Sequence, residues 1–163
     1  AYRYVPYIIK PYFEVLTYEF SDTVSLVDGQ ESIHDNNIFY QSLLDNQLTI
    51  DENVKNAVII QHLFGVHKPY MTDENCNYLE DASAEQTARG LFVAVGQYME
   101  YMKEIGIYDQ ATIIITADHG AWWGGDTQPI LLIKQSTETH DNMKTCAAPV
   151  SFDEFQGTIL SLF

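Results

Sequence analysis

The stretch "SAEQTARGLFVAVGQYMEYMKEIGIYDQATIIITADHG", residues 83–120, carries the clearest structural signal in the chain. Ser83 and Gln86 stand three apart in a capping-box pattern, so a helix begins there. Ala88, Leu91, Phe92, Val95, Met99, Met102 and Ile105 then recur at helical spacing, with Lys103 suited to the last turn and Gly106 to the stop. "ATIIITA" (111–117) is short, apolar and β-branched, which fits a buried strand. "AVIIQ" (57–61), on the other side of the helix, has the same character. Strand, long helix and strand predict a right-handed βαβ unit with parallel strands at 57–61 and 111–117. "PILLIK" (129–134) supplies a third strand. The expected fold class is therefore α/β, a three-layer sandwich with a mainly parallel sheet.

Outward from this centre the signals are local. "PYFEVLTYEF" (11–20) opens on a proline in first-turn position and fits a short helix. Asp35 can cap a second helix running to about Leu48, with Ile38, Leu44 and Leu48 among its apolar positions. The polar run "MTDENCNYLED" (71–81) predicts a loop. Ser151 with Glu154 is another capping box, opening a final helix with Phe155, Ile159 and Leu160 inside. There is no internal repeat and no low-complexity tract. The chain starts in mid-pattern on Ala1 and stops on "ILSLF", as expected of a piece of a longer protein.

Composition narrows the function. In 163 residues, 46% hydrophobic and 13% aromatic content favours a packed globule over a disordered chain. No run approaches the ~20 apolar residues of a membrane span, so this piece is expected to be soluble. The formal charge of -15 repels a phosphate backbone, and no basic cluster offsets it; a nucleic-acid partner is excluded. The same charge attracts divalent cations. Cys76 and Cys146 form no CxxC, so they signal neither a zinc ribbon nor a redox pair, and a disulfide between them is left open.

Histidines stand at the ends of two of the apolar runs. In open α/β sheets, ligands collect beyond the carboxyl ends of strands. Asp118 and His119 follow one strand, and neighbours on a strand point to opposite faces. They converge on one ion only if the chain leaves the strand there. A carboxylate with an imidazole is a donor set suited to zinc or manganese more than calcium. The alternative is a polar strand exit, with Asp118 capping the loop and His119 exposed. His62 and His67, in "HLFGVHKPY" (62–70), follow the other run around Gly65. Imidazole there can ligate a metal or donate to a phosphoryl or sulfuryl oxygen.

Taken in order, "HLFGVHKPY", the capped helix, "GIYDQATIIITADHG", "QPILLIK" and "APVSFDEFQGTIL" resemble the C-terminal half of the sulfatase-like branch of the alkaline phosphatase superfamily. The nearest look-alikes are lipoteichoic acid synthases and phosphoethanolamine transferases, which transfer phosphoryl-linked groups on the outer face of bacterial membranes. The resemblance implies one partial domain over 1–163, with 1–53 a helical linking segment and 54–163 an α/β core carrying half of a metal site. It implies that Asp118 and His119 bind a divalent metal, manganese or zinc. It further implies that His67, with His62 as companion, contacts the group being transferred. In the family, the nucleophile and a further acidic ligand come from the N-terminal half, so no catalytic nucleophile is expected in this chain. Thr112, Thr116, Ser83 and Ser151 are better explained by strand propensity and capping.

The function expected of the parent is transfer or hydrolysis of phosphate or sulfate esters, in a membrane-anchored enzyme facing away from the cytoplasm. Its substrate would carry a lipid headgroup or glycan, with the missing half of the chain as partner. The competing expectation is a non-catalytic sulfatase-like domain binding a glycan, an anionic headgroup or a protein. Trp122 and Trp123 could stack on a sugar or headgroup, or simply lid the sheet edge. Arg89 is expected to be a surface or ion-pair residue rather than a phosphate clamp.

Overall fold

The structure is a computed structural model, and it describes residues 35–50, 57–121, 128–139, 142–147, 150–151 and 157. Two helices and two strands are present among them: α1 (Asn36–Asn46), α2 (Ala84–Glu104), β1 (Ile113–Thr116) and β2 (Leu131–Lys134). The helix expected at 11–20, the Trp122–Trp123 pair and, apart from Gly157, the helix expected after Ser151 lie outside the described residues.

Asp35 caps α1 as its sequence position suggests. Its carboxylate accepts from Asn37 N at 2.8 Å and Ile38 N at 3.1 Å, satisfying two amides that have no partner inside the helix. The inward face differs from the expected one. Ile38 and Leu44 are exposed, whereas Asn36 and Leu43 are buried and Phe39 stacks on Tyr98 of α2, ring centroids 6.4 Å apart. Burial pushes the Tyr98 phenol above its ordinary range. The helix ends at Asn46, before Leu48, with Gln47 at φ 55°.

The Ser83 cap of α2 is reciprocal: Gln86 N donates to Ser83 Oγ at 3.1 Å, and Ser83 N to Gln86 Oε1 at 3.0 Å. Its deepest residues are Thr87, Gly90, Ala94, Tyr101 and Met102. Apart from Met102, this line runs beside the expected stripe, and Phe92 is exposed. The shift has a steric cause. Small side chains at 87, 90 and 94 let neighbouring backbone approach the helix closely, and large apolar residues flank that seam. Gly106, at φ 76°, ends the helix as anticipated.

The neighbour held by that seam is the segment 70–82. It is not a slack loop but a cross-bonded knot. Leu79 N donates to Met71 O, Asp73 N to Asn77 O, Cys76 N to Asp73 O, and Ala82 N to Tyr70 O. The Asp73 carboxylate accepts from Asn75 N and Asn77 N, both at 2.8 Å. Partial desolvation pushes that carboxyl upward, but the hydrogen bonds from Asn77 and Asn75 outweigh it and hold it below its ordinary range. Thr87 Oγ1 ties the knot to α2 by donating to Thr72 O at 3.2 Å.

β1 and β2 pair antiparallel, with Ile113 opposite Lys134 and Thr116 opposite Leu131. β1 is shorter than the predicted 111–117, because Ala111 N is spent on the carbonyls of Ile107 and Tyr108. The expected strand at 57–61 is not formed. These residues adopt no ladder, and Val58, Ile59 and Ile60 are 64%, 71% and 74% exposed. A strand exists only through a neighbour's backbone, and among the described residues none pairs with this segment. The parallel pairing expected between 57–61 and 111–117 is not observed among the described residues, whose sheet is a two-stranded antiparallel ribbon.

Tyr108 joins this ribbon to α2. Lys103 Nζ lies 5.0 Å and Lys134 Nζ 4.7 Å from its ring centroid. Lys134 also donates to the carbonyls of Ala111 and Gln135, both at 3.1 Å. The two ammonium groups thus share one π-face system while the second is held by backbone. Among the described residues, no helix is long and apolar enough to cross a membrane.

Candidate functional site

Both histidine-bearing segments are placed by backbone. At the end of β1, the chain leaves the ribbon after Thr116, whose hydroxyl donates to Ile130 O at 2.9 Å. Asp118 then folds back: its Oδ1 accepts from His119 N at 3.0 Å, and its Oδ2 stands 3.7 Å from His119 Nε2. Departure from the strand brings the two side chains together, which a continued strand would forbid. They are solvent-open, with 85% of the Asp118 side chain and 41% of the His119 side chain exposed.

Their 3.7 Å separation sets a carboxylate oxygen and an imidazole nitrogen side by side, the donor types that zinc and manganese take. Among the described residues, no group of three or more His, Cys, Asp or Glu side chains is placed to hold a metal ion. Among the described residues, Asp118 and His119 are therefore not joined by His67 or His62 in such a group.

The segment carrying His62 and His67 is anchored to α1 by a residue that the sequence did not single out. Asn36, buried at the helix start, clamps Gly65 through both ends of its amide: Nδ2 donates to Gly65 O at 2.8 Å, and Oδ1 accepts from Gly65 N at 3.0 Å. Gly65 sits at φ 69°, a left-handed conformation that glycine adopts without cost. Phe64 and His67 flank the clamp, their rings edge to face with centroids 5.2 Å apart. His67 Nδ1 lies 2.6 Å from Lys68 O, and the Lys68–Pro69 peptide is cis. His62 and His67 are both exposed.

The same helix start holds Cys76. Its Sγ donates to Asn36 O at 3.4 Å, and Asn37 Nδ2 donates to Cys76 O at 2.9 Å. The thiol is fully buried; burial, helped by the negative charges of Asp35 and Asp73, pushes it up to about 11. Cys146 is exposed, and neither cysteine is in a disulfide. The visible hint to this joint was "DNN" (35–37), where two amides follow a cap residue. A surface helix start would satisfy itself with Asp35 alone.

The remaining polar candidates have structural employment. Arg89 pairs with Glu85 one turn earlier at 2.7 Å on the helix surface, as anticipated. Ser83 serves as a cap, and Thr112 Oγ1 accepts from Ser136 N at 3.3 Å. Comparisons with protein-family models, with curated proteins and with solved structures give no match to this chain.

Proposed function

We propose that this chain is the C-terminal part of a metal-dependent enzyme of the sulfatase-like kind, whose parent transfers or hydrolyses phosphate or sulfate esters. Among such enzymes we favour a cell-envelope transferase of the phosphoglycerol or phosphoethanolamine type, anchored in a membrane with this domain outside the cytoplasm. The supporting observation is the Asp118–His119 pair, turned toward each other just past the carboxyl end of β1 at 3.7 Å.

The chemistry follows from the donor atoms and the charge. A divalent ion bound there would supply Lewis acidity toward an ester oxygen. The carboxylate of Asp118 and the imidazole of His119 are the residues of this chain that would hold such an ion. The chain's charge of -15 makes the ion necessary for a second reason, because an anionic ester would otherwise be repelled. His67 contacts the group being transferred. The nucleophile and the missing acidic ligand belong to the N-terminal half of the parent.

Two ligands forfeit much of a complete site's affinity. The isolated chain is therefore expected to show no turnover of aryl phosphate or sulfate esters with added zinc or manganese. In the full-length parent, Asp118→Ala is expected to lower activity at least about a hundredfold by releasing the metal. An ester-hydrolysis assay on both proteins, each beside its Asp118→Ala variant, decides the matter. Turnover by the isolated chain that vanishes in its variant would place a nucleophile within these residues. An active parent untouched by the substitution would favour a non-catalytic binding domain.

A further inference from the structure

The segment that carries His67 is not held by secondary structure. Residues 57–69 form neither helix nor strand, so no ladder fixes their course. At Gly65 a side chain does that instead. Asn36 is 5% exposed, and its amide meets Gly65 as a neighbouring strand would. It gives a hydrogen to the carbonyl at 2.8 Å and takes one from the N–H at 3.0 Å. A main-chain N–H only donates and a carbonyl only accepts, so Gly65 itself settles which way the amide points. Only Asn and Gln carry both functions in one planar group, and Gln is a methylene longer.

Asn36 is in turn held from behind. Its carbonyl accepts from Cys76 Sγ at 3.4 Å, and the next side chain, Asn37, donates to Cys76 O at 2.9 Å. Cys76 lies against α2, where a Cβ added at Gly90 would stand 2.9 Å from Cys76 N. Contacts therefore run without a break from α2 through Cys76 and Asn36 to Gly65. His67 follows two residues later, its ring edge to face with Phe64. α1 falls within the linking segment expected at 1–53, which on this geometry supports the site as well as joining the two halves.

We propose that Asn36 is a positioning residue: by clamping Gly65 it sets where His67 stands, and so governs the transfer through that histidine without touching the substrate. The inference rests on the proposed function for the role of His67, but not for the clamp. Misplacing a group at a reacting centre by about 1 Å can cost up to about a hundredfold in rate, so a side chain remote from the chemistry can matter to it.

The discriminating variant is Asn36→Asp. It keeps the shape and the acceptor for Gly65 N, and a carboxylate suits the first turn of a helix, but it sets an oxygen against the Gly65 carbonyl. Asn37→Ala is the comparison, because it cuts the bond to Cys76 O and leaves both bonds to Gly65. In the 163-residue chain, NMR of the His67 ring protons reads the position, since the Phe64 ring displaces them from the values of a free histidine. Asn36→Asp is expected to return them toward those values, and Asn37→Ala to leave them displaced. In the full-length parent, Asn36→Asp is expected to lower kcat/KM for an aryl ester about tenfold, and to lower it no further once His67 is replaced by alanine. Ring signals that stay in place in Asn36→Asp, or move as much in Asn37→Ala, would overturn the inference. An equal loss of activity with and without His67 would do the same. Should Asn36→Asp not fold by circular dichroism, Asn36→Ser, too short to reach both Gly65 atoms, is judged by the same readings. A parent with no ester turnover would defeat the proposed function, and the ring signals would still decide the positioning.

Discussion

Gly90 and Gly96 lie in the same helix six residues apart, and alanine at the two should act in opposite directions. Removing an interior glycine from a helix gains roughly 0.8–1.0 kcal/mol, because alanine loses less backbone freedom on folding. At Gly96 nothing lies within 4 Å of an added Cβ, so that gain is realised. At Gly90 the added carbon would press into Asp73 O and come within 2.9 Å of Cys76 N and 3.1 Å of Cys76 Cα. These are backbone atoms of the knot, pinned by the Asp73 and Thr87 hydrogen bonds, and they have no rotamer with which to step aside. Overpacking of this kind costs typically 1–3 kcal/mol and more where backbone must move. The cost exceeds the propensity gain, so Gly90→Ala should destabilise by about 1–3 kcal/mol while Gly96→Ala stabilises by about 0.5–1 kcal/mol. Urea denaturation of the three proteins, followed by far-ultraviolet circular dichroism, reads both differences. A Gly90→Ala protein as stable as the parent would show that the knot does not sit against α2 as described.

Three further predictions concern the same joint. Asn36→Ala removes two hydrogen bonds and leaves the Gly65 amide and carbonyl short of partners, so it should cost roughly 2–4 kcal/mol; amide exchange at Gly65 should accelerate with it, and unchanged exchange would refute the clamp. Thr72 Oγ1 is buried without a hydrogen-bond partner among the described residues, so Thr72→Val should leave thermal stability equal or raised by up to about 1 kcal/mol; a large loss would reveal a partner for that hydroxyl. Cys76 titrates near 9 when unfolded and is pushed up to about 11 in the fold, so its contribution is complete below pH 9 and is lost as pH rises toward 11. That loss is on the order of 2–3 kcal/mol, and a urea midpoint that falls less steeply between pH 8 and 10.5 in Cys76→Ala would identify its source.

Local grammar was the legible part. Asp35, Ser83 with Gln86, and Gly106 announced helix boundaries through interactions that reach only a few residues, and the structure uses each of them. Two other features depend on distant partners. Which face of α2 goes inward was set by where the 70–82 knot could approach, and hydrophobicity counting found Phe92 rather than Gly90. The apolar 57–61 run carries strand propensity, yet a strand also needs a neighbour's hydrogen bonds. At the site, Asp118 and His119 were readable as adjacent donors at a strand exit. The role of Asn36 was not, since a clamp 29 residues away leaves no mark in residue type.

The sealing of Cys76 makes it a chemical clock for the molecule. Its sulfur is fully buried between the start of α1 and the knot, and its thiolate is suppressed, so an alkylating reagent can reach it only when that joint parts. Where closing outpaces the reagent, the ratio of its observed rate to that of an open thiol gives the opening free energy directly. Exposed Cys146 reacts first and marks the start of timing. A substitution that loosens the anchoring of the His67 segment through α1 would make the clock run faster, and one confined to the β1–β2 ribbon would leave its pace unchanged.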